Sequence, residues 1–233
     1  MWALVTGGAK RLGAALCLAL AEQGHAVAVH YNRSAQEARE VVAACRAVGG
    51  EAAAIQGDFT CVAGVELFLQ HYLRDFSETA ILINNVGEYC IGSALETSTE
   101  EWTSLFQINL HTPFMLSRAL MPTLIRQRGH ILNIGVAGLH RRAANTYSTA
   151  YTLTKQSLWG LTLSLAREVA SKGVRVNMVS PGQLDISRDR WTLPMERPAD
   201  CREVCRVVNF LLDRESAYIT GQNIEVAGGL GLA

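Results

Sequence analysis

Short apolar runs alternate with longer stretches in which apolar residues recur every three or four positions, and this order repeats along the chain. The short runs predict strands over residues 3–6, 26–31, 52–56, 81–84, 130–134, 175–179 and 223–226; the longer ones predict helices over 12–23, 35–48, 62–74, 99–126, 150–171 and 200–212. Ala26-Val27-Ala28-Val29 is apolar at successive positions, which places that strand between two helix layers rather than at a solvated sheet face. Regular alternation of strand and helix implies right-handed crossovers onto one parallel sheet. The expected fold is therefore α/β, a doubly wound parallel sheet, and ligands on such a sheet bind beyond the carboxyl ends of its strands.

Composition narrows this picture. At 233 residues and 49% hydrophobic, with no linker, repeat or low-complexity tract, the chain reads as a single domain over 1–233. Lys plus Arg and Asp plus Glu both number 21, and no basic stripe with interleaved aromatics is present, so nucleic acid is not an expected partner. Met1-Trp2-Ala3-Leu4-Val5-Thr6 leads directly into an apolar strand, which predicts no signal peptide, no membrane span and a cytoplasmic location. Cys17, Cys45, Cys61 and Cys90 are scattered, and Cys201 and Cys205 lack a second Cys/His pair in register, which predicts free thiols in a reducing compartment. His71, His111 and His130 are isolated, so no metal site is expected.

The turn after the first strand, Thr6-Gly7-Gly8-Ala9-Lys10-Arg11-Leu12-Gly13, enters the first helix. Glycines 7, 8 and 13 permit a tight turn and close backbone approach, and the helix N-terminus offers unpaired N–H groups to a pyrophosphate, the Rossmann device. The second strand ends in His30-Tyr31-Asn32-Arg33-Ser34, with no Asp or Glu to accept from an adenosine ribose. Arg33 and Ser34, helped by Arg11, suit a 2′-phosphate instead, which predicts NADPH over NADH; an Arg33 that merely faces solvent is the alternative.

Tyr151 and Lys155 lie four apart on a predicted helix and share one face. An ammonium beside a phenol favours the ionised form, lowering a pKa that starts near ~10 and allowing proton transfer at ordinary pH. Such a pair is common on solvated helices, and its place downstream of a nucleotide turn is what gives it weight.

With Gly57-Asp58, Asn84-Asn85-Val86-Gly87, Asn109, Ser180-Pro181-Gly182, Ile219-Thr220-Gly221-Gln222 and Ala227-Gly228-Gly229 in order, nearly the whole chain resembles the short-chain dehydrogenase/reductase family. The resemblance implies that Asp58 contacts adenine, that Asn84, Asn85, Val86 and Gly87 support the adenosine ribose and pyrophosphate side, and that Pro181 and Gly182 line the nicotinamide. It further implies that Lys155 holds the nicotinamide ribose and lowers the Tyr151 pKa, that Tyr151 donates the proton, and that Asn109 binds a relay water through the helix backbone. The expected cofactor contacts are Gly7, Lys10, Arg11, Leu12, His30, Tyr31, Asn32, Arg33, Ser34, Asp58, Asn85, Val86, Gly87, Tyr151, Lys155, Pro181 and Gly182. A homodimer or homotetramer is implied by the same analogy.

Arg11 in place of a middle glycine, with 30–34, is similar to the pteridine reductase branch, where an aromatic after the Asn-Asn turn stacks on the pterin; Tyr89 matches that place, although a loop-capping aromatic reads equally well. One departure stands out: Val136 occupies the position of the usual Ser or Asp, and valine offers no hydrogen bond to a substrate oxygen. The longer segment before Tyr151 brings His140, Thr146 or Ser148 forward as replacements, or the reaction needs none. The leading expectation is an NADPH-dependent reductase of dihydropteridine or dihydrofolate. The alternatives are a carbonyl reductase of 3-oxoacyl thioesters or small ketones, and an NADPH-binding protein with little catalysis. Residues 183–198, with Asp185, Arg188, Asp189, Arg190 and Trp191, are expected to form a charged, substrate-covering loop.

Overall fold

Seven strands form one parallel sheet in the order β3-β2-β1-β4-β5-β6-β7. They are β1 (Trp2–Val5), β2 (Ala26–Tyr31), β3 (Ala52–Gln56), β4 (Thr79–Asn84), β5 (His130–Ile134), β6 (Arg175–Pro181) and β7 (Asn223–Val226). The computed structural model describes residues 1–140, 144–187 and 192–230. Chain order reverses between β1 and β4, so the β1 and β4 ends flank the crevice where ligands of such sheets bind.

The central strands are apolar on both sides because each side has its own helix layer, while the edge strands β3 and β7 are only partly covered. Ala3, Val5, Val27 and Val29 face α1 (Arg11–Glu22), α2 (Ala35–Ala47) and α7 (Cys201–Leu212), through Leu16, Leu20, Cys45, Val204 and Val208. The alternate residues Leu4, Ala28 and Leu82 face α3 (Val62–Asp75), α5 (Thr112–Gln127) and α6 (Thr149–Val169), through Phe68, Tyr72, Leu116, Leu120 and Val169. The single helix expected over 99–126 is divided into α4 (Thr99–Phe106), a π-helical turn (Gln107–His111) and α5. Pro113 has no N–H to give the Asn109 carbonyl four residues earlier, and the chain widens to a π turn at that residue.

His30, at the carboxyl end of β2, is buried and ties the nucleotide turn to the sheet. Its Nδ1 accepts from the Gly7 N–H at 3.0 Å, so Nε2 carries the proton and donates to the Gly57 carbonyl at 3.1 Å. The ring stacks on Phe59 at 4.0 Å between centroids and meets the edge of Phe68 at 5.2 Å. Burial lowers its pKa from 6.5 to about 4. Between those values the unfolded chain binds a proton that the folded chain refuses. Stability is thus whole above 6.5 and declines as pH falls toward 4, by up to about 3 kcal/mol from this residue. Replacing His30 with leucine is expected to cost about 1–3 kcal/mol at neutral pH, through two buried backbone groups left unpaired. It also removes this share of acid sensitivity. Denaturant titrations at neutral and mildly acid pH should show the gap between wild type and variant narrowing on the acid side; a gap independent of pH would refute the assignment.

Candidate active site

The turn after β1 is shaped by contacts that only glycine permits. Gly7 has φ +62°, and a Cβ on Gly13 would stand 2.1 Å from the Gly7 carbonyl oxygen. The Asn85 Nδ2 donates to the Thr6 and Gly7 carbonyls at 2.9 and 3.3 Å, while the Thr6 hydroxyl accepts from the Asn85 and Val86 amides at 2.9 and 3.0 Å. These bonds fasten the ends of β1 and β4 together. Lys10 occupies the N-cap of α1 without a side-chain cap bond, and the first turn holds no acid. The Arg11, Leu12 and Gly13 amides are therefore orphan donors of an uncapped helix end. A cradle kept clear of Cβ atoms before such an end fits a dinucleotide pyrophosphate.

The 2′-side differs from expectation at two residues. His30 lies wholly beneath the turn with both ring nitrogens engaged by backbone, so it shapes the cradle and does not line its surface. Arg11, in a left-handed conformation with φ +53°, donates to the Ile186 carbonyl and so reaches the segment after β6. Arg33 is exposed, Tyr31 and Ser34 are half-buried, and Ser34 makes no side-chain cap bond to α2. The Asp58 carboxylate accepts from the Thr60 amide at 3.0 Å, the Thr60 hydroxyl at 2.8 Å and Asn32 Nδ2 at 3.1 Å. Those bonds, the Thr60 amide foremost, hold its pKa below the ordinary value.

Beyond β4 and β5 the groups expected to handle protons gather. Lys155 is buried on α6, and its Nζ donates to the Ile134 carbonyl at 2.8 Å. Burial lowers its pKa to about 8. Gly87 leaves room for it, since a Cβ there would lie 3.3 Å from the Lys155 Nζ and 3.4 Å from the Asn109 Oδ1. Asn109, in the π turn, accepts from the Glu88 amide at 2.8 Å and donates to the Glu88 carbonyl at 2.9 Å and the Thr154 hydroxyl at 3.1 Å. It thereby locks the loop after β4 against α6.

Tyr151 is half-buried, with the Tyr89 ring edge-on at 4.8 Å and the Lys155 Nζ 5.9 Å from its own ring centroid. The expected lowering of its pKa is not what these surroundings produce. Burial raises it above the ordinary value and the Tyr89 phenol adds to the rise, while the Lys155 ammonium faces the Ile134 carbonyl.

Val136 packs in an apolar cluster with Leu139, Leu158, Met178 and Leu110. The described contacts of the suggested replacements lead elsewhere: His140 pairs with Glu225 at 3.2 Å, Ser148 meets Asn145 at 3.4 Å, and Thr146 is exposed. Gly182, with Pro181 at the end of β6, is required by β7, since a Cβ would fall 2.9 Å from the Ala227 Cα. Residues 188–191 of the expected covering loop lie outside the described residues. The role of Glu225 escaped sequence reading. It accepts from the Gly138 amide at 2.7 Å and anchors the segment after β5 across 87 residues of chain, a contact with no local signal. Among the described residues no His/Cys/Asp/Glu group of three could hold a metal, and no helix is long and apolar enough to cross a membrane.

Comparison with known proteins agrees with this arrangement. A 3-oxoacyl-[acyl-carrier-protein] reductase from Synechocystis is 35% identical over 239 residues, covering 98% of this chain and 96% of that protein. An acetoin dehydrogenase from Salmonella typhimurium has a TM-score of 0.92 at 25% identity, covering 99% of this chain and 96% of that one. A blue fluorescent protein from a metagenomic library, solved in complex with NADPH, has a TM-score of 0.91 at 29% identity, covering 99% and 97%. The family model described as short chain dehydrogenase matches residues 1–193, and with the parallel sheet, glycine cradle and Tyr151–Lys155 pair it places the chain in the short-chain dehydrogenase/reductase family of oxidoreductases.

Proposed function

We propose that the protein is an NADPH-dependent reductase of carbonyl carbon, with 3-oxoacyl thioesters as the leading substrate class. The observation that carries this reading is the buried Lys155 ammonium held between the Ile134 carbonyl and Gly87, one turn from Tyr151. The whole-length likeness to a 3-oxoacyl reductase supports the substrate class and moves it away from the pterin expectation. NADPH supplies the hydride. The amides of Arg11, Leu12 and Gly13 bind the pyrophosphate; Lys10, Arg33 and Ser34 take the 2′-phosphate; Asp58 meets adenine; Asn85 and Val86 support the ribose; and Pro181 and Gly182 line the nicotinamide. Lys155 holds the second ribose, and the Tyr151 hydroxyl delivers its proton to the substrate oxygen. Tyr151 to phenylalanine should leave NADPH binding intact and lower turnover by about two orders of magnitude or more. Binding without turnover in the wild type, against every carbonyl and pterin offered, would leave only a binding role.

A second reading, pterin reduction, rests on Tyr89, half-exposed beside Tyr151. NADPH oxidation with dihydropterin and dihydrofolate, set against a 3-oxoacyl thioester, decides between them. Exposed Trp102, Phe114, Leu153 and Leu163 on α4, α5 and α6 support self-association through these helices.

Val136 leaves a developing oxyanion with one donor fewer than a serine would give. Val136→Ser is expected to raise kcat on a ketone or thioester by at least about tenfold, and an unchanged or lower kcat would show that the oxygen lies elsewhere. With its pKa near 8, Lys155 is charged below that value and neutral above it, so kcat/KM for NADPH should fall as pH rises through about 8. The same displacement from 10.5 makes a charged Lys155 a burden at neutral pH of up to about 3 kcal/mol. Lys155→Met should therefore abolish turnover while raising the denaturation midpoint; a destabilised variant would mean that the lysine is structural.

A further inference from the structure

Among the described residues, three helices begin with the same spacing of an N-cap oxygen and a glutamate three residues on. Two close into reciprocal capping boxes. The Ser98 amide donates to Glu101 Oε2 at 2.9 Å while the Glu101 amide donates to the Ser98 hydroxyl at 3.2 Å, and Asp200 and Glu203 do the same at the start of α7. The third, Ser34-Ala35-Gln36-Glu37, is open. Ser34 forms no side-chain cap bond, and the Glu37 carboxylate turns away to meet the Lys10 Nζ at 2.7 Å. Lys10 in turn is the N-cap residue of α1, and its side chain caps nothing there. Two uncapped helix ends thus face one cationic corner, with Arg33 exposed beside them, and its lysine is already occupied by a carboxylate of the same chain.

We infer that Glu37 sets the strength of 2′-phosphate recognition: it holds the Lys10 ammonium that the phosphate must take, and so weakens NADPH and NADP+ without affecting NADH or NAD+. The inference rests on the NADPH reading of the preceding subsection. A phosphate of nearly two negative charges outbids one carboxylate for an ammonium, yet the exchange breaks an existing ion pair and leaves Glu37 facing the incoming anion. A cofactor without the phosphate disturbs nothing at this corner. Glu37 is therefore a determinant of cofactor preference that acts by competition, and it moderates how firmly the oxidised cofactor is held after hydride transfer.

Glu37→Gln keeps the size and hydrogen-bonding reach of the side chain and removes its charge. Fluorescence titration at low salt should give a Kd for NADPH and for adenosine 2′,5′-bisphosphate lowered by roughly two- to fivefold, with NADH and adenosine monophosphate unchanged. Glu37→Ala should reproduce the direction. In a Lys10→Met background the gain should shrink to the part due to repulsion between carboxylate and phosphate, because there is no ammonium left to release. Equal changes for ligands with and without the 2′-phosphate, no change at all, or a gain that persists undiminished without Lys10 would overturn the inference. A wild-type protein that does not distinguish NADPH from NADH would overturn the cofactor reading itself, whereas a wild-type preference that Glu37→Gln leaves unaltered overturns only the role of Glu37.

Discussion

The ammonium of Lys155, buried against the end of β5, is the constraint around which the rest of the site is organised. A charge in that place is unfavourable unless it is hydrogen-bonded and given room. The Ile134 carbonyl provides the bond and Gly87 the room. Both conditions depend on α6 lying in one register over the sheet. That register is set by a buried polar relay: Asn84 Nδ2 donates to Asn133 Oδ1 at 2.8 Å, and Asn133 Nδ2 donates to the Thr162 hydroxyl at 2.8 Å. Thr162 lies two helical turns beyond Lys155, so the relay that joins β4, β5 and α6 also aims the lysine at the strand ends.

The cofactor half answers a different constraint, the need to leave backbone donors unused at a helix end. His30 and Asn85 absorb the polar groups of the turn that would otherwise be stranded, and they do so from beneath, leaving the outer amides of α1 uncovered. The two halves meet at Asn85–Val86–Gly87. The first two residues bind Thr6 at the turn, and the third borders Lys155. A short segment after β4 thus carries the geometric link between the glycine turn and Lys155.

Most of the fold was legible because burial on both faces leaves the central strands as mainly apolar runs, and one-sided burial leaves the helices as stripes. The strands over 26–31, 52–56, 130–134 and 223–226 coincide with β2, β3, β5 and β7. The break in the long helix was also written in the chain, as Pro113 four residues after Asn109, but a helical period of apolar positions carries across a π turn without visible interruption. Site chemistry was less legible where it depends on contacts distant in sequence. His30 reads as a polar residue at a strand end, and only the fold shows it wedged between Gly7 and Gly57. Arg11 reads as a phosphate ligand because of its neighbours in sequence, while its guanidinium follows a carbonyl 175 residues away. The spacing of Tyr151 and Lys155 predicts coupling through space. What decides the phenol's acidity is how deeply α6 lies and which way the ammonium turns, and neither is encoded in a four-residue interval.

That last difference bears on the direction of the chemistry. A phenol whose pKa lies above its ordinary value rests in the protonated form at physiological pH, whereas a lowered one would stand partly as phenolate. Reduction of a carbonyl, the proposed reaction, needs a proton given to oxygen as hydride arrives at carbon, and a protonated Tyr151 would be in that state before substrate enters. Oxidation of an alcohol needs the opposite, a base already free to accept. Burial and the Tyr89 phenol against the ring both disfavour its anion. In the proposed reaction the buried positive charge of Lys155 would act on the phenolate only as it forms, when the proton has left and the attraction between the two groups first becomes large. On the proposed reading, a phenol protonated at rest beside a buried ammonium is poised to give a proton rather than to take one, and the depth of α6 is what keeps it so.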